Sequence, residues 1–177
     1  MSTQNLSLYA IPVMWVMASK SPFPSTSTPS SSRAATNPPQ VGPHLYATKK
    51  YEHATSKPFD NTQPRSLTST VKSSPSISQA DKDLIIRAEG CQQNGFENIG
   101  LFAAAVVAAN VAKLDVGYVN LLSWGYIASR VVYTYIYLNN TSLGFANVRS
   151  VVFVGGVGLC MTMFVSAANV LRLGSPA

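Results

Sequence analysis

Charged residues are scarce in this sequence. They make up only 11% of its 177 residues, against about 25% in an ordinary soluble domain, whereas 46% of the residues are hydrophobic. So few charges cannot cover a water-facing surface. The two cysteines, Cys91 and Cys160, are too few for a scaffold of several disulfides and lack the spacing of metal ligands. The composition therefore argues against an ordinary soluble domain and a disulfide-rich secreted protein, and no metal site is expected.

Basic residues are also few, and they are scattered. Thirteen Lys and Arg side chains against seven Asp and Glu give a net charge of +6, and residues 1–80 carry seven of the basic and two of the acidic side chains. No dense basic stripe is present that could follow a phosphate backbone, so nucleic acid is not expected as a partner. The sequence joins a polar, basic front to a nearly uncharged back.

Long apolar runs fill the second half of the chain. A helix needs about 20 residues to cross a hydrocarbon core of about 30 Å. Residues 116–138 form a 23-residue run with one charge, Arg130, and residues 150–171 form a 22-residue run with none. Both runs predict transmembrane helices. A third span is expected within residues 81–112, of which the second half is almost wholly apolar.

The first part of the chain offers only a short apolar segment. Residues 6–18 contain 13 residues, too few to span a membrane, and they are interpreted either as a signal peptide or as a partial first transmembrane helix. A basic region before the segment and a cleavage site of small residues after it are both missing. Of the 25 residues in 20–44, 15 are Ser, Thr or Pro, a composition that predicts disorder.

Four segments follow from this pattern. The partial first helix lies at 6–18, and residues 19–42 are predicted to be a disordered segment rich in Ser, Thr and Pro. Residues 43–77 are predicted to form a polar cytosolic segment. Residues 78–172 are predicted to form the membrane domain, with helices at about 80–112, 116–138 and 149–171.

Polar side chains inside these spans are costly to bury and therefore point to function. In the first of the three helices they are spaced i, i+7, i+10, which places them on one side of a helix: Arg87, Asn94 and Glu97. In the second they are spaced i, i+3, i+7: Arg130, Tyr133 and Tyr137. Arg149 opens the last span. A polar pocket within a bundle is one interpretation; the alternative is an interfacial anchor at Arg149 beside a belt of tyrosines.

Three segments resemble the membrane-associated proteins in eicosanoid and glutathione metabolism, the MAPEG family. The signature of that family is an Arg, then an Asn, a Glu and a Phe-bearing apolar run, as in RAEGCQQNGFENIGLFAAAVVAAN (Arg87–Asn110). Its third helix is similar to SRVVYTYIYL (Ser129–Leu138), and the start of its fourth is similar to VRSVVF (Val148–Phe153). The matches occur in the right order and cover about residues 78–172.

The resemblance implies an all-α integral membrane protein, a four-helix transmembrane bundle that forms a homotrimer in the endoplasmic reticulum or another endomembrane. Glutathione, the co-substrate, is expected between neighbouring protomers near the cytosolic face. The resemblance gives the role of holding glutathione to six residues: Arg87, Asn94, Glu97, Arg130, Tyr133 and Tyr137. Arg149, with Ser150 beside it, is implied to be catalytic by stabilising the glutathione thiolate.

The chemistry suits these residue types. A thiol with a pKa of about 8.5 is mostly protonated at neutral pH, and a nearby guanidinium favours its reactive anion. The expected function is that of a glutathione-dependent transferase or peroxidase, and the lipid bilayer would supply a lipophilic electrophile or hydroperoxide as second substrate. A non-catalytic membrane scaffold or lipid-binding protein of the same fold is the alternative. A small-solute transporter is disfavoured because inverted repeats and broken spans are missing.

The sequence departs from the family at two positions. Relatives often have a second arginine four residues before the Asn, where this chain has Gly90. A basic residue expected late in the first span is supplied here only by Lys49 or Lys50. Both departures weaken the expected glutathione clamp.

The first helix departs most from the family. Relatives run from an apolar stretch similar to residues 6–18 directly into a segment similar to residues 43–65, and residues 6–18 joined to 43–47 come close to the length of a span. The resemblance therefore implies that residues 19–42 are a disordered insertion into the first helix. A genuine disordered loop after a short span is the alternative.

Overall fold

The computed structural model describes residues 4–19, 43–60, 62–140 and 143–174. Within these ranges the chain is all-helical, without a strand, and has six α-helices: α1 (Ala10–Ser19), α2 (Pro43–Thr55), α3 (Leu67–Ser73), α4 (Gln79–Val111), α5 (Val116–Leu138) and α6 (Leu143–Leu173). Short 3-10 turns precede α1 and α3, at Ser7–Tyr9 and Pro64–Ser66. The predicted insertion at 19–42 lies outside the described residues, except for Ser19.

The helix bounds differ from the predicted ones in two places. The segment at 43–77, expected to be merely polar, contains α2 and α3; Pro43 suits the first helical position because its missing N–H has no partner there in any helix. α6 begins at Leu143 rather than at 149, because no proline interrupts the residues before it. Arg149 therefore lies in the second turn of α6 and does not open the helix.

A single helix among the described residues, Gly144–Leu173, is long and apolar enough to cross a membrane by its length and composition. α4 and α5 have sufficient length, 33 and 23 residues, but they do not meet this criterion, contrary to the expectation from their apolar runs. Polar side chains lower their mean hydropathy, and two of those on α5, Ser123 and Arg130, are buried within the protein.

The chain divides into two compact units, one made of Met1–Val16 and Asn94–Ala177 and the other of Met17–Gln93. The core of the second unit is formed by small and aliphatic side chains: Ala47, Leu67, Val71, Ile77, Ile85 and Ala88. Also within this unit, the Lys50 ammonium forms an ion pair with the Asp81 carboxylate at 3.0 Å. The backbone N–H of Asp81 in turn donates to the hydroxyl of Ser78, just ahead of α4.

In the first unit, α5 and α6 pack antiparallel. Residues early in α5 meet residues late in α6: the Tyr118 hydroxyl lies 3.2 Å from that of Ser166, and the Ser123 hydroxyl donates to the Met163 sulfur at 3.9 Å. The residues that contact the other helix, or are buried along the same stripe, alternate in steps of three and four, the spacing of a coiled-coil seam. On α5 they are Val119, Ser123, Tyr126, Arg130, Tyr133 and Tyr137; on α6 they are Arg149, Phe153, Gly156, Cys160, Met163 and Ala167.

A tight turn connects α4 to α5. The N–H of Leu114 donates to the carbonyl of Ala109, and the N–H of Lys113 donates to that of Asn110. Lys113 adopts a φ of 53°, which completes the reversal that commonly ends a helix. The Asp115 carboxylate then accepts from the N–H of Tyr118 at 2.8 Å and caps α5. Together these bonds bring the end of α4 beside the start of α5.

Polar side chains at this end of the first unit also bind the N-terminal segment. The Asn120 side-chain amide accepts from the N–H of Leu6 at 2.9 Å and donates to the carbonyl of Gln4 at 2.8 Å. Asn110 accepts a hydrogen bond from Asn5 and donates one to Ser7. These hydrogen bonds connect six residues, which we call the asparagine clasp: Gln4, Asn5, Leu6, Ser7, Asn110 and Asn120.

Candidate functional site

Arg130 lies at the centre of the seam between α5 and α6. Its side chain is only 3% exposed. Its guanidinium carbon lies over three aromatic rings, 4.8 Å from the centroid of Tyr126 and 5.2 Å from those of Tyr133 and Phe153. One nitrogen, Nη1, donates to the side-chain oxygen of Asn94 on α4 at 3.4 Å. This arrangement confirms that Arg130 and Tyr133 share one face of α5, as their spacing predicts.

The other two nitrogens of Arg130, Nε and Nη2, are buried and make no hydrogen bond to any residue that the structure describes. The same holds for the hydroxyl of the neighbouring Tyr126. Ring faces stabilise the positive charge by about 0.5–2 kcal/mol each, but they do not satisfy donors that lie in the guanidinium plane. A buried donor without an acceptor costs about 1–3 kcal/mol, and more when it is charged. An anionic acceptor bound to these two nitrogens would therefore stabilise the site, and the guanidinium geometry fits a carboxylate best.

A second arginine extends the site along the seam. The Arg149 guanidinium carbon lies 4.7 Å from the centroid of the Tyr137 ring. Tyr137 in turn is 5.5 Å from Tyr133, centroid to centroid, and Tyr133 is 6.1 Å from Phe153. An unbroken run of aromatic rings thus connects Arg149 with Arg130. Arg149 is half-buried, at the end of the seam where α5 ends.

The remaining predicted residues occupy different surroundings. Ser150 is exposed, and its hydroxyl donates to the carbonyl of Ala146 in its own helix at 3.1 Å. On α4, Asn94 is half-buried and bonded to Arg130, whereas Glu97 is exposed. Arg87 is half-buried and belongs to the second unit. The structure therefore groups Asn94, Arg130, Tyr133, Tyr137 and Arg149 through the contacts described above.

Lys50, a candidate for the basic residue of the first span, is engaged elsewhere. Its ammonium is held by Asp81 within the second unit. The Asp81 carboxylate already neutralises part of the charge of Lys50. At this position the sequence has lysine in place of arginine, and in the structure that lysine is paired with another residue.

Sequence reasoning missed two aromatic residues of the site, Tyr126 and Phe153. Tyr126 packs between Arg130 and Phe102, with the Phe102 ring stacked on it at 4.2 Å and 8° between the planes. Both missed residues continue the three-and-four spacing, Tyr126 four residues before Arg130 and Phe153 four after Arg149. That spacing was the signal by which they could have been found.

Comparison with known proteins bears on the first unit and on much of the second. The model of the MAPEG family matches residues 44–169, more than two thirds of the chain, from α2 nearly to the end of α6. No curated protein and no solved structure matches the chain. The family consists of membrane proteins built as helical bundles and is concerned with glutathione and eicosanoid metabolism. With a match of this extent, the chain belongs to the MAPEG family.

Proposed function

We propose that this protein is a glutathione-dependent transferase or peroxidase that acts on lipophilic electrophiles or lipid hydroperoxides within a membrane. The observation that carries the proposal is Arg130, whose guanidinium is only 3% exposed and has two nitrogens without an acceptor among the described parts of the chain. Such a group needs an anion. Glutathione carries two carboxylates, one at each end of the peptide, and its thiol lies between them.

In this proposal six of the predicted residues hold glutathione. Arg130 binds one glutathione carboxylate with its unpaired nitrogens, while Asn94 and the ring of Tyr133 hold the guanidinium in place. Tyr137 contacts the peptide backbone, and Glu97 faces the α-amino group. For Arg87, the family resemblance alone gives a role in holding glutathione. These assignments follow the family resemblance, and for Asn94, Arg130 and Tyr133 they are supported by their mutual contacts.

Arg149 acts on the thiol. Its permanent charge lies at the opposite end of the aromatic run from Arg130, and in this proposal one glutathione contacts both arginines. The charge favours the thiolate, and each unit by which the thiol pKa falls corresponds to about 1.4 kcal/mol. In transfer, the thiolate sulfur attacks an electrophilic carbon and forms a thioether as the leaving group departs. In reduction, it attacks the peroxide oxygen; an alcohol and a glutathione sulfenic acid form, and a second glutathione converts the latter to the disulfide and water.

The second substrate would come from the lipid. The outer surfaces of α5 and α6 carry large apolar side chains with high exposure, among them Leu121 at 71% and Val151 at 72%. An apolar surface of this kind suits a bilayer. We propose an endoplasmic reticulum or other endomembrane location and a homotrimer, in which the glutathione site is completed at the boundary between neighbouring protomers.

Conjugation assays test the proposal. Purified full-length protein in detergent would be given glutathione and chlorodinitrobenzene, or glutathione and cumene hydroperoxide. Arg149→Ala should lower kcat at least tenfold, since it removes the charge that stabilises the thiolate. Arg172→Ala, an exposed arginine in the last turn of α6, is the matched control and should leave the rate unchanged. A rate that does not differ between the wild type and Arg149→Ala would refute the catalytic role.

A non-catalytic scaffold or lipid-binding protein of the same fold is the second candidate. It is favoured by two observations, Gly90 in place of an arginine and the pairing of Lys50 with Asp81. Both observations reduce the number of positively charged side chains that are available to bind glutathione. The same assay separates the two functions, because a scaffold would show no glutathione-dependent turnover in the wild type with either substrate.

A further inference from the structure

Gly156 is the residue of α6 that faces Arg130 across the seam. A methyl group added at Gly156 would lie 3.0 Å from the Arg130 Nη2, 3.1 Å from the Ser129 hydroxyl and 3.6 Å from the Arg130 guanidinium carbon. The first two distances are shorter than ordinary van der Waals contact, so Nη2 and the Ser129 hydroxyl would have to shift by a few tenths of an ångström. The guanidinium therefore lies in a space that is open because Gly156 has no side chain.

The guanidinium has little freedom to shift in another direction. Tyr126 and Tyr133 lie one helical turn before and after Arg130 on α5, and Phe153 lies on α6 one turn before Gly156. The hydroxyl of Ser129 is fixed by its own bond to the Tyr126 carbonyl at 2.7 Å. Nη2, the atom nearest to Gly156, is also one of the two nitrogens that lack an acceptor.

We propose that Gly156 is a positioning residue: it sets the place of the Arg130 guanidinium and thereby the affinity of the site for a ligand carboxylate. The proposal deepens the glutathione-dependent function and rests on it. A side chain at position 156 would push Nη2 away from the seam. The two unpaired nitrogens would then no longer present a fork to the carboxylate, although the charge would remain.

Two other glycines of α6 provide matched controls. A methyl group added at Gly155 or Gly158 meets nothing within 4 Å. Replacement by alanine changes helix propensity in the same direction at all three positions. A difference between Gly156→Ala and the two controls therefore reports the contact with the seam and not the loss of a helical glycine.

The first measurement is glutathione binding and turnover by the full-length protein in detergent. Gly156→Ala should raise the Kd for glutathione about tenfold, the loss expected for a displaced hydrogen bond to a charged group. At saturating glutathione its kcat should equal that of the wild type, because Arg149 is untouched. Gly155→Ala and Gly158→Ala should keep the wild-type Kd. An unchanged Kd in Gly156→Ala, or an equal rise in either control, would overturn the proposal.

The second measurement does not depend on glutathione. Melting temperatures are compared for Gly156→Ala and Gly155→Ala in the wild type and again with Arg130→Ala. If Gly156 acts through Arg130, the difference between the two glycine variants changes when Arg130 is removed; the contact with Ser129 is common to both backgrounds and cancels. An unchanged difference overturns the proposal. Should the wild type bind no glutathione, the proposed function fails, and this cycle alone decides whether Gly156 positions Arg130.

Discussion

At the residue scale, the protein places an arginine where burial is costly. Arg130 is enclosed by three aromatic rings, and its hydrogen bond to Asn94 is long, at 3.4 Å. A buried ion without full hydrogen bonding is destabilising, and replacing it by an apolar side chain of similar volume is often neutral or stabilising. A folded protein that retains such a destabilising buried charge typically does so at a site that a ligand completes.

Arg130→Met should therefore stabilise the ligand-free protein while removing glutathione binding. We expect its melting temperature to equal or exceed that of the wild type, by a few degrees at most for about 1 kcal/mol. Glutathione should raise the melting temperature of the wild type by mass action and leave that of the variant unchanged. Thermal unfolding in detergent, with and without glutathione, measures both. A variant that is strongly destabilised and still responds to glutathione would contradict this role.

Glu97 is expected to contribute to binding from the exposed side of α4. Glu97→Gln keeps the size of the side chain but removes the charge that would face the α-amino group of glutathione. The Kd should rise about threefold to tenfold, within the range of a partly exposed charged hydrogen bond. Glu89→Gln, two turns earlier on the same helix, is the control and should bind like the wild type. Equal Kd values for Glu97→Gln and the wild type would remove Glu97 from the site.

At the element scale, the asparagine clasp joins the N-terminal segment to α4 and α5. Asn120 satisfies two backbone groups of that segment, the N–H of Leu6 and the carbonyl of Gln4. Ala10 and Met14 of α1 are buried nearby in the same unit. These hydrogen bonds hold the N-terminal segment to α4 and α5 within the first unit.

Asn120→Ala should loosen the N-terminal segment. The loss of two hydrogen bonds to backbone is expected to cost about 1–2 kcal/mol, because water replaces part of each bond at this exposed position. Amide exchange at Leu6 and proteolysis of the first residues should both become faster. Asn139→Ala is the control, since the side-chain amide of Asn139 donates to the carbonyl of Tyr135 in its own helix. Unchanged exchange at Leu6 in Asn120→Ala would show that the clasp does not hold the segment.

The sequence predicted the helices better than it predicted their contacts. The bounds of α5 are those of its apolar run, because an aspartate cap and a helix-ending turn lie just outside it. The stripe of Arg130, Tyr133 and Tyr137 followed from helical spacing. The orientation of α6 about its own axis could not be predicted in the same way. α6 has apolar or small residues on every side, so its sequence does not mark the face that meets α5. Tyr126, Phe153 and Gly156 were therefore not recognised as neighbours of Arg130.

At the scale of the whole molecule, antiparallel packing of α5 and α6 places Tyr137, Arg149 and the connection between the two helices at one end of the first unit. The turn from α4 to α5 and the end of α6 lie at the other. Soluble glutathione is cytosolic, so we expect the Arg149 end to face the cytosol. The many basic residues of the segment between Lys20 and Lys82 agree with that orientation.

Two overlapping glycosylation sequons test this orientation. Asn139 and Asn140 each begin an Asn-x-Ser/Thr motif in the connection between α5 and α6. We expect both to remain unmodified, because a cytosolic connection never meets the lumenal transferase. A sequon added after Leu173 is the control and should be glycosylated. A mobility shift removed by endoglycosidase, and abolished by Asn139→Gln with Asn140→Gln, would reverse the orientation and the route by which glutathione enters.

The central claim is that Arg130 binds a carboxylate of glutathione. Calorimetric titration of the full-length protein in detergent tests it most directly, with glutathione and its dimethyl ester as ligands and Arg130→Met beside the wild type. The wild type should bind glutathione at least tenfold more tightly than the ester, and Arg130→Met should bind both equally weakly. Equal affinity of the wild type for glutathione and its ester, or undiminished glutathione binding by Arg130→Met, would contradict the claim.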